Sequence, residues 1–227
     1  MTHRLLPLAA ASLLALPAAA PAAAEDAQLW LTGGATVDLG SGLRLSEEMV
    51  ARFGDAQGGL YEIENSLLLG YRLGDKVTLW AGYTHDPLYN GGRFTRLERR
   101  AREQVTFDNV ARIGPGAISL RLRAEQRWRE GFDGTGWRLR PYVRYAVPLG
   151  DTGKTTLTLG HESFINLNRT GFQTAGGYER MRNNIAVKFP LVGPLSAEIG
   201  YLNQYGIVRG GRDKMDHAAT AGLSLSL

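Results

Sequence analysis

From residue 28 to the C-terminus, apolar and polar residues alternate in blocks separated by clusters of Gly, Pro, Asp and Asn. A period of two belongs to a strand with two unlike faces. The alternation predicts eleven strands, at 28–39, 43–53, 61–73, 77–85, 99–113, 117–129, 137–147, 155–166, 178–189, 195–205 and 218–227. Most have the length of a tilted strand that crosses a bilayer, about 9 to 11 residues. The connections also alternate, with short turns at 40–42, 74–76, 114–116, 150–154 and 190–194. Longer segments rich in Gly and charge lie between them, at 86–98, 130–136, 167–177 and 206–216. Outer-membrane barrels sort their connections in this way, with tight periplasmic turns and longer extracellular loops.

The expected fold is therefore all-β, a single antiparallel transmembrane β-barrel of 10 to 12 strands. Barrels made by a single bacterial chain have an even number of strands. Ten or twelve is the expectation, with one end of the block assignment in error, because an odd count would make the first strand close in parallel on the last. Taking alternate residues in each block gives one face of Leu, Val, Ile and aromatics and another of Arg, Glu, Thr and Gly. Ten to twelve strands enclose more space than medium side chains fill, so the apolar face is assigned to lipid and the polar face to the lumen.

Aromatics fit this assignment as two girdles. Trp128, Trp137, Tyr61, Tyr201 and Tyr205 fall near the long-loop ends of their blocks, and Tyr71, Tyr145 and Phe189 near the short-turn ends. In the last block Leu223, Leu225 and Leu227 take the lipid face and Ser224 and Ser226 the lumen. That ending resembles the C-terminal insertion signal of outer-membrane proteins, from which Leu227 departs in not being aromatic.

The first residues break the pattern. Arg4, an apolar stretch over residues 5–16 and the run Ala22, Ala23, Ala24 before Glu25 read as a cleavable signal peptide over 1–24. Residues 25–227 are then the barrel. The location expected is the outer membrane of a Gram-negative bacterium, with outer-membrane lipids and, during insertion, the barrel-assembly machinery as partners. The chain has no cysteine, which excludes a disulfide framework. Its net charge of +4 arises mainly from arginines at alternating strand positions rather than from a basic tail, so nucleic acid is not an expected partner.

Those arginines are the main chemical feature. Arg121, Arg123, Glu125, Arg127 and Arg129 share the lumen face of one block, and Arg138, Arg140, Tyr142 and Arg144 that of the next. Arg100, Arg102, Arg112, Arg180 and Arg182 join them, against carboxylates at Glu48, Glu62, Glu64, Glu162 and Glu198. A guanidinium is always charged and grips carboxylate or phosphate with a planar fork of donors. Arg121, Arg123, Glu125, Arg127, Arg138, Arg140, Arg144, Glu162 and Arg182 are the candidate anion-binding set. Two outcomes are open: a narrow pore or binding barrel for small anionic solutes, or a lumen plugged by Arg–Glu pairing in a structural or adhesive barrel.

Five segments carry a resemblance: QLWLT at 28–32, LRLSEE at 43–48, EQRW at 125–128, FINLN at 164–168 and GYLNQY at 200–205. In order and spacing they resemble an uncharacterised family of bacterial outer-membrane barrels, the domain of unknown function DUF2490. The resemblance implies a secreted barrel over nearly the whole mature chain and brings no substrate or activity with it. Glu125, Glu162, Asn166, Arg182 and Gln204 lie in or beside these segments and are read first as a polar network.

A third functional class rests on His161 and Ser163. Residues two apart on a strand share a face, and a His so placed can act as base for a Ser. Their parity matches Leu157, Leu159 and Ile165, so the pair faces lipid, as does the His-x-Ser pair of outer-membrane phospholipases and lipid A deacylases. If the following loop is centred near Phe172, Asn183 falls opposite His161 and can orient it. The family resemblance places an acidic residue where His161 stands. Glu47, Asn65 and Glu103 are further polar exceptions on the lipid face. For metals the sequence offers only His85 with Asp86, and His217 with Asp213 and Asp216, read as solvated; neither a metal nor an organic cofactor is expected.

Overall fold

The computed structural model describes residues 24–150 and 152–227. The leader expected over 1–24 lies, apart from Ala24, outside them. All eleven blocks are strands: β1 (Ala24–Gly40), β2 (Leu43–Gly54), β3 (Gly59–Arg72), β4 (Val77–Asn90), β5 (Arg93–Ile113), β6 (Gly116–Arg129), β7 (Gly136–Leu149), β8 (Thr155–Asn166), β9 (Gly177–Val192), β10 (Leu195–Gly206) and β11 (Lys214–Ser226). Each pairs antiparallel with its neighbour in sequence, and the sheet closes on itself through β1 and β11.

That closing pair is parallel, from Ala24 opposite Lys214 to Thr36 opposite Ser226. Eleven strands fall within the expected 10 to 12, and the expectation of an even count is corrected. Both terminal strands run from the long-loop end to the short-turn end, so they can meet only in parallel. The seam is secured at its far end, where Leu227 N donates to Thr36 O (2.9 Å) and Asp38 N to Leu227 O (2.8 Å).

A second correction concerns 86–98, expected as a long loop. β4 and β5 continue through it and turn only at Gly91 and Gly92, both at positive φ (56° and 76°). Two central residues at positive φ make the turn that matches the twist of a hairpin, and glycine adopts them without strain. The charges that suggested a loop, Asp86 and Glu98 among them, are lumen-facing strand residues.

The faces follow the alternation. Leu31, Leu45, Met49, Leu67, Leu69, Leu79, Leu122, Val143, Leu159, Ile185 and Leu223 point outward and are exposed. Side chains buried completely on the inside include Arg102, Glu98, Glu125 and Asp86. A water-soluble barrel has the opposite polarity; apolar outside and polar inside is the arrangement of a barrel surrounded by hydrocarbon. Trp128, Trp137, Tyr178 and Tyr201 stand outward near the long-loop ends. Tyr61 does not belong to that girdle: it is the extra residue of a bulge opposite Arg52 and Phe53, and its hydroxyl donates to Gln28 inside the mouth.

Glycine allows close approach of backbone at Gly82 on this wall. A Cβ on Gly82 would lie 2.1 Å from the Leu67 carbonyl oxygen and 2.7 Å from Leu68 Cα, both backbone atoms, whereas one on Gly33 would meet nothing. Gly82→Ala is expected to cost roughly 1–3 kcal/mol through forced backbone movement. Gly33→Ala should leave the urea midpoint of the refolded barrel close to wild type.

Candidate functional site

The alternating positions of β2 to β8 bring eight arginines and six carboxylates into one connected ion-pair network across the lumen. Glu125 on β6 accepts from Arg138 (2.5 Å) and Arg140 (2.7 Å) on β7 and lies 3.3 Å from Arg102 on β5. Glu98 on β5 accepts from Arg100, Arg127 and Arg129. Glu64 on β3 joins Arg52, Arg100 and Arg102, and Glu162 on β8 joins Arg121 and Arg140.

Two rings, Phe164 and Trp30, hold guanidinium groups beside this network. Arg138, Arg140, Arg180 and Arg182 stand over Phe164 at 5.3, 4.5, 5.6 and 4.7 Å, and Arg52 and Arg182 over Trp30 at 4.6 Å. Phe164 is 1% exposed. An aromatic face attracts guanidinium groups and fills space that charged groups alone leave to water. Each of the eleven strands contributes at least one buried lumen residue, among them Trp30, Arg52, Glu64, Thr84, Arg102, Glu125, Arg140, Phe164, Ala186, Gln204 and Ala218. Buried lumen residues therefore occur around the full circumference of the barrel.

At the long-loop mouth the loop between β8 and β9 folds inward. Gln173 accepts from Arg127 (3.0 Å) and donates to Trp137 O and Asn168 O, while Phe172 lies against Arg127 and Arg129. In the loop between β10 and β11, Asp213 takes hydrogen bonds from the Tyr205 hydroxyl and, at 2.9 Å, Val208 N–H, which together hold its carboxyl below the usual range.

All nine residues of the candidate anion set point into the lumen, and they divide there. Glu125, Arg127, Arg138, Arg140 and Glu162 are spent on one another or on neighbours in the waist. Arg182 bonds Gln204 (2.8 Å). Arg123 bonds only Gln104 (2.8 Å), and Arg144 has no ion pair among the described residues. Sequence reasoning left Asp86 and Glu98 out of the lumen set because they fall in the segment read as a loop, and it missed Trp30 and Phe164, whose even parity with Gln28 and Glu162 was the available signal.

The oxygens of Glu62, Glu64 and Asp86 lie within 4.8 Å of one another, a spacing suited to a cation. Arg52, Arg100 and Arg102 already supply positive charge there. His85 and Asp86 lie on opposite faces of β4, and His217 and Asp216 on opposite faces of β11, so neither pair can chelate. His217 bonds the Tyr201 hydroxyl outside (2.5 Å), and Asp216 accepts from Gln204 inside.

The outward face holds a different constellation. His161 on β8 is in register with Asn183 on β9. His161 Nδ1 lies 2.7 Å from Asn183 Oδ1, and His161 Nε2 lies 3.1 Å from Ser163 Oγ. Ser163 Oγ is also 3.0 Å from the Tyr178 hydroxyl. With Nδ1 donating to Asn183, Nε2 carries a free lone pair toward the serine hydroxyl, the tautomer a general base requires. β8 and β9 carry a bulge at Phe164/Ile165 beside the serine, a feature common next to active sites.

Glu47, Asn65 and Glu103 are true exceptions on this face. Asn65 Nδ2 donates to Glu47 (3.0 Å) and Gln126 Nε2 to Glu103 (3.2 Å). They lie on β2, β3, β5 and β6, on strands apart from those carrying His161 and Asn183.

An apolar, aromatic-flanked exterior around an ionised interior defines a membrane-type β-barrel with a charge-packed waist. The chain belongs to the family described as Protein of unknown function (DUF2490), whose model matches residues 27–215. It is 30% identical over 227 residues to an uncharacterized protein of Methylorubrum extorquens, covering 99% of this chain and 97% of that one. Among solved structures it resembles the outer-membrane expressed OmpT of Vibrio cholerae, at 15% identity and a TM-score of 0.41. That match covers 79% of this chain, which spans 61% of the length of that one.

Proposed function

We propose that this barrel resides in a bacterial outer membrane and hydrolyses acyl esters of bilayer lipids at Ser163, His161 and Asn183 on its lipid-facing side. The observation that carries this is the unbroken chain Asn183–His161–Ser163, with links of 2.7 and 3.1 Å. Polar side chains facing hydrocarbon are costly and mark function by default. Ser163 lies near the long-loop end of β8, at the level of outward Tyr178 on β9 and just inside Trp137 on β7. Interfacial aromatics mark headgroup depth, and the ester carbonyls of a lipid lie just below it.

In this mechanism Ser163 Oγ attacks the ester carbonyl carbon while His161 Nε2 takes the hydroxyl proton. The carbon–oxygen bond to the lipid alcohol breaks, and His161 returns its proton to that oxygen. Water then attacks the acyl-serine with His161 again as base, releasing the fatty acid and restoring Ser163. Asn183 holds the imidazole in register. The Tyr178 hydroxyl, 3.0 Å from Oγ, is a donor within reach of the developing oxyanion.

The packed waist supports assigning the work to the outside. Glu98 and Glu125 are fully buried there among arginines, which disfavours a free anion track through the lumen. Since the family resemblance places an acidic residue at the His161 position, the activity is proposed for this chain.

Refolded barrel in mixed micelles should release fatty acid from a glycerophospholipid or from lipid A, which identifies the lipid class. Ser163→Ala should lower the rate by about 10³-fold or more and retain heat-modifiable folding on gels. Release from neither lipid, or equal release by Ser163→Ala, would reject the proposal.

A further inference from the structure

We propose that the vestibule on the short-turn side of the waist is a binding site for a compact oxyanion of phosphate type, held by Arg44, Arg121 and Arg123. This stands independently of the outward triad. The cavity has a volume of about 210 Å³, and its lining includes these three arginines with Ser46, Gln104 and Thr106. Ligand pockets for drug-sized molecules run from about 300 to 1,000 Å³, so the occupant is small.

Arg123 is the central observation. It is 6% exposed, and its Nε donates to Gln104 Oε1 (2.8 Å). Among the described residues no carboxylate pairs with it, while every arginine of the waist network holds at least one. Its cross-strand partner is another arginine, Arg140. A buried cation without a counter-charge is costly, and the two terminal nitrogens of Arg123 are left for a ligand.

The other two guanidinium groups are held in place by rings. Arg121 lies over Tyr142 at 4.7 Å and Arg44 over Trp80 at 5.7 Å. Arg121 reaches Glu162 through one terminal nitrogen, and Arg44 has no ion pair among the described residues. The Nε atoms of both are buried without a hydrogen-bond partner. Three positioned forks face a single carboxylate in the cavity lining, the exposed Glu48. A tetrahedral dianion offers enough acceptor oxygens to engage several guanidinium forks, with hydroxyl donors from Ser46 and Thr106 beside them. Hydrogen phosphate also brings one hydroxyl that Glu48 can accept.

The test is calorimetric titration of inorganic phosphate into the refolded full barrel in detergent micelles, with urea unfolding alongside. Wild type and Ser163→Ala should bind saturably with equal affinity. Arg123→Gln should lose at least tenfold, and Arg44→Gln should also weaken. Without phosphate Arg123→Gln should unfold at equal or higher urea than wild type, because an unpaired buried charge has gone; phosphate should raise the wild-type midpoint and leave the variant's unmoved. Arg72→Gln, an exposed arginine paired with Asp38 outside the cavity, should bind as wild type. Absence of saturable binding at millimolar phosphate, or unchanged binding by a folded Arg123→Gln, would overturn the site.

Discussion

Glu125→Gln is expected to destabilise the barrel by about 3–5 kcal/mol, the cost of leaving buried ionic partners without their counter-charge. Glu125 is fully buried and joins Arg102, Arg138 and Arg140, which are 0%, 4% and 6% exposed at their side chains. Gln keeps the shape and one acceptor, so the loss reports charge rather than a cavity. The three guanidinium groups would then face one another, with Glu64 and Glu162 as the remaining nearby counter-charges for Arg102 and Arg140. Asp38→Asn provides the contrast. Its pair with Arg72 at 3.3 Å is more than 40% exposed on both sides, and exposed pairs contribute about 0–1 kcal/mol. Urea midpoints of both variants refolded into vesicles measure the difference. Equal midpoints would mean that water fills the waist and screens it.

The second large effect is expected at Tyr178. If its hydroxyl serves the oxyanion, Tyr178→Phe should lower kcat by about 10²–10³-fold with KM little changed, because the phenyl ring keeps its contact with lipid. Asn183→Ala should reduce kcat by losing the imidazole tautomer. Asn183→Asp should restore most of it, since a carboxylate accepts the same Nδ1–H bond. A structural role for Tyr178 would instead move KM and stability together. Steady-state lipolysis of the four proteins in one micelle composition separates these outcomes. A Tyr178→Phe enzyme at wild-type kcat would remove Tyr178 from the mechanism and leave Ser163 and His161 untouched.

Every strand was legible in the alternation of residues, because a closed sheet between hydrocarbon and a polar interior demands a side-chain period of two. The parity of each block also placed Arg121, Glu125, Arg140 and Glu162 inside and His161 and Ser163 outside. The 86–98 segment was misread because inward charges make a strand resemble a loop when the neighbouring turn is only two glycines long. Tyr61 was misplaced because a bulge reverses parity without a mark in composition.

What alternation cannot carry is anything set by closure. It gives each strand two faces but not the register between β1 and β11, so closure of the eleven strands through a parallel seam was settled only when both ends of the chain met. The ion-pair partners are likewise tertiary: Glu125 is four residues from Arg121 in sequence, yet it is Glu162 from β8 that takes Arg121, while Glu125 takes Arg102, Arg138 and Arg140. Sequence by itself determined which side of the wall most strand residues occupy, Tyr61 and the 86–98 segment apart, since the backbone pleat dictates that locally. Only the tertiary structure decided that most of the arginines pair with carboxylates across the waist, that Arg123 is left without a carboxylate among the described residues, and that Asn183, His161 and Ser163 stand within hydrogen-bonding distance. Those depend on strand stagger and lumen width, which are properties of the closed barrel as a whole.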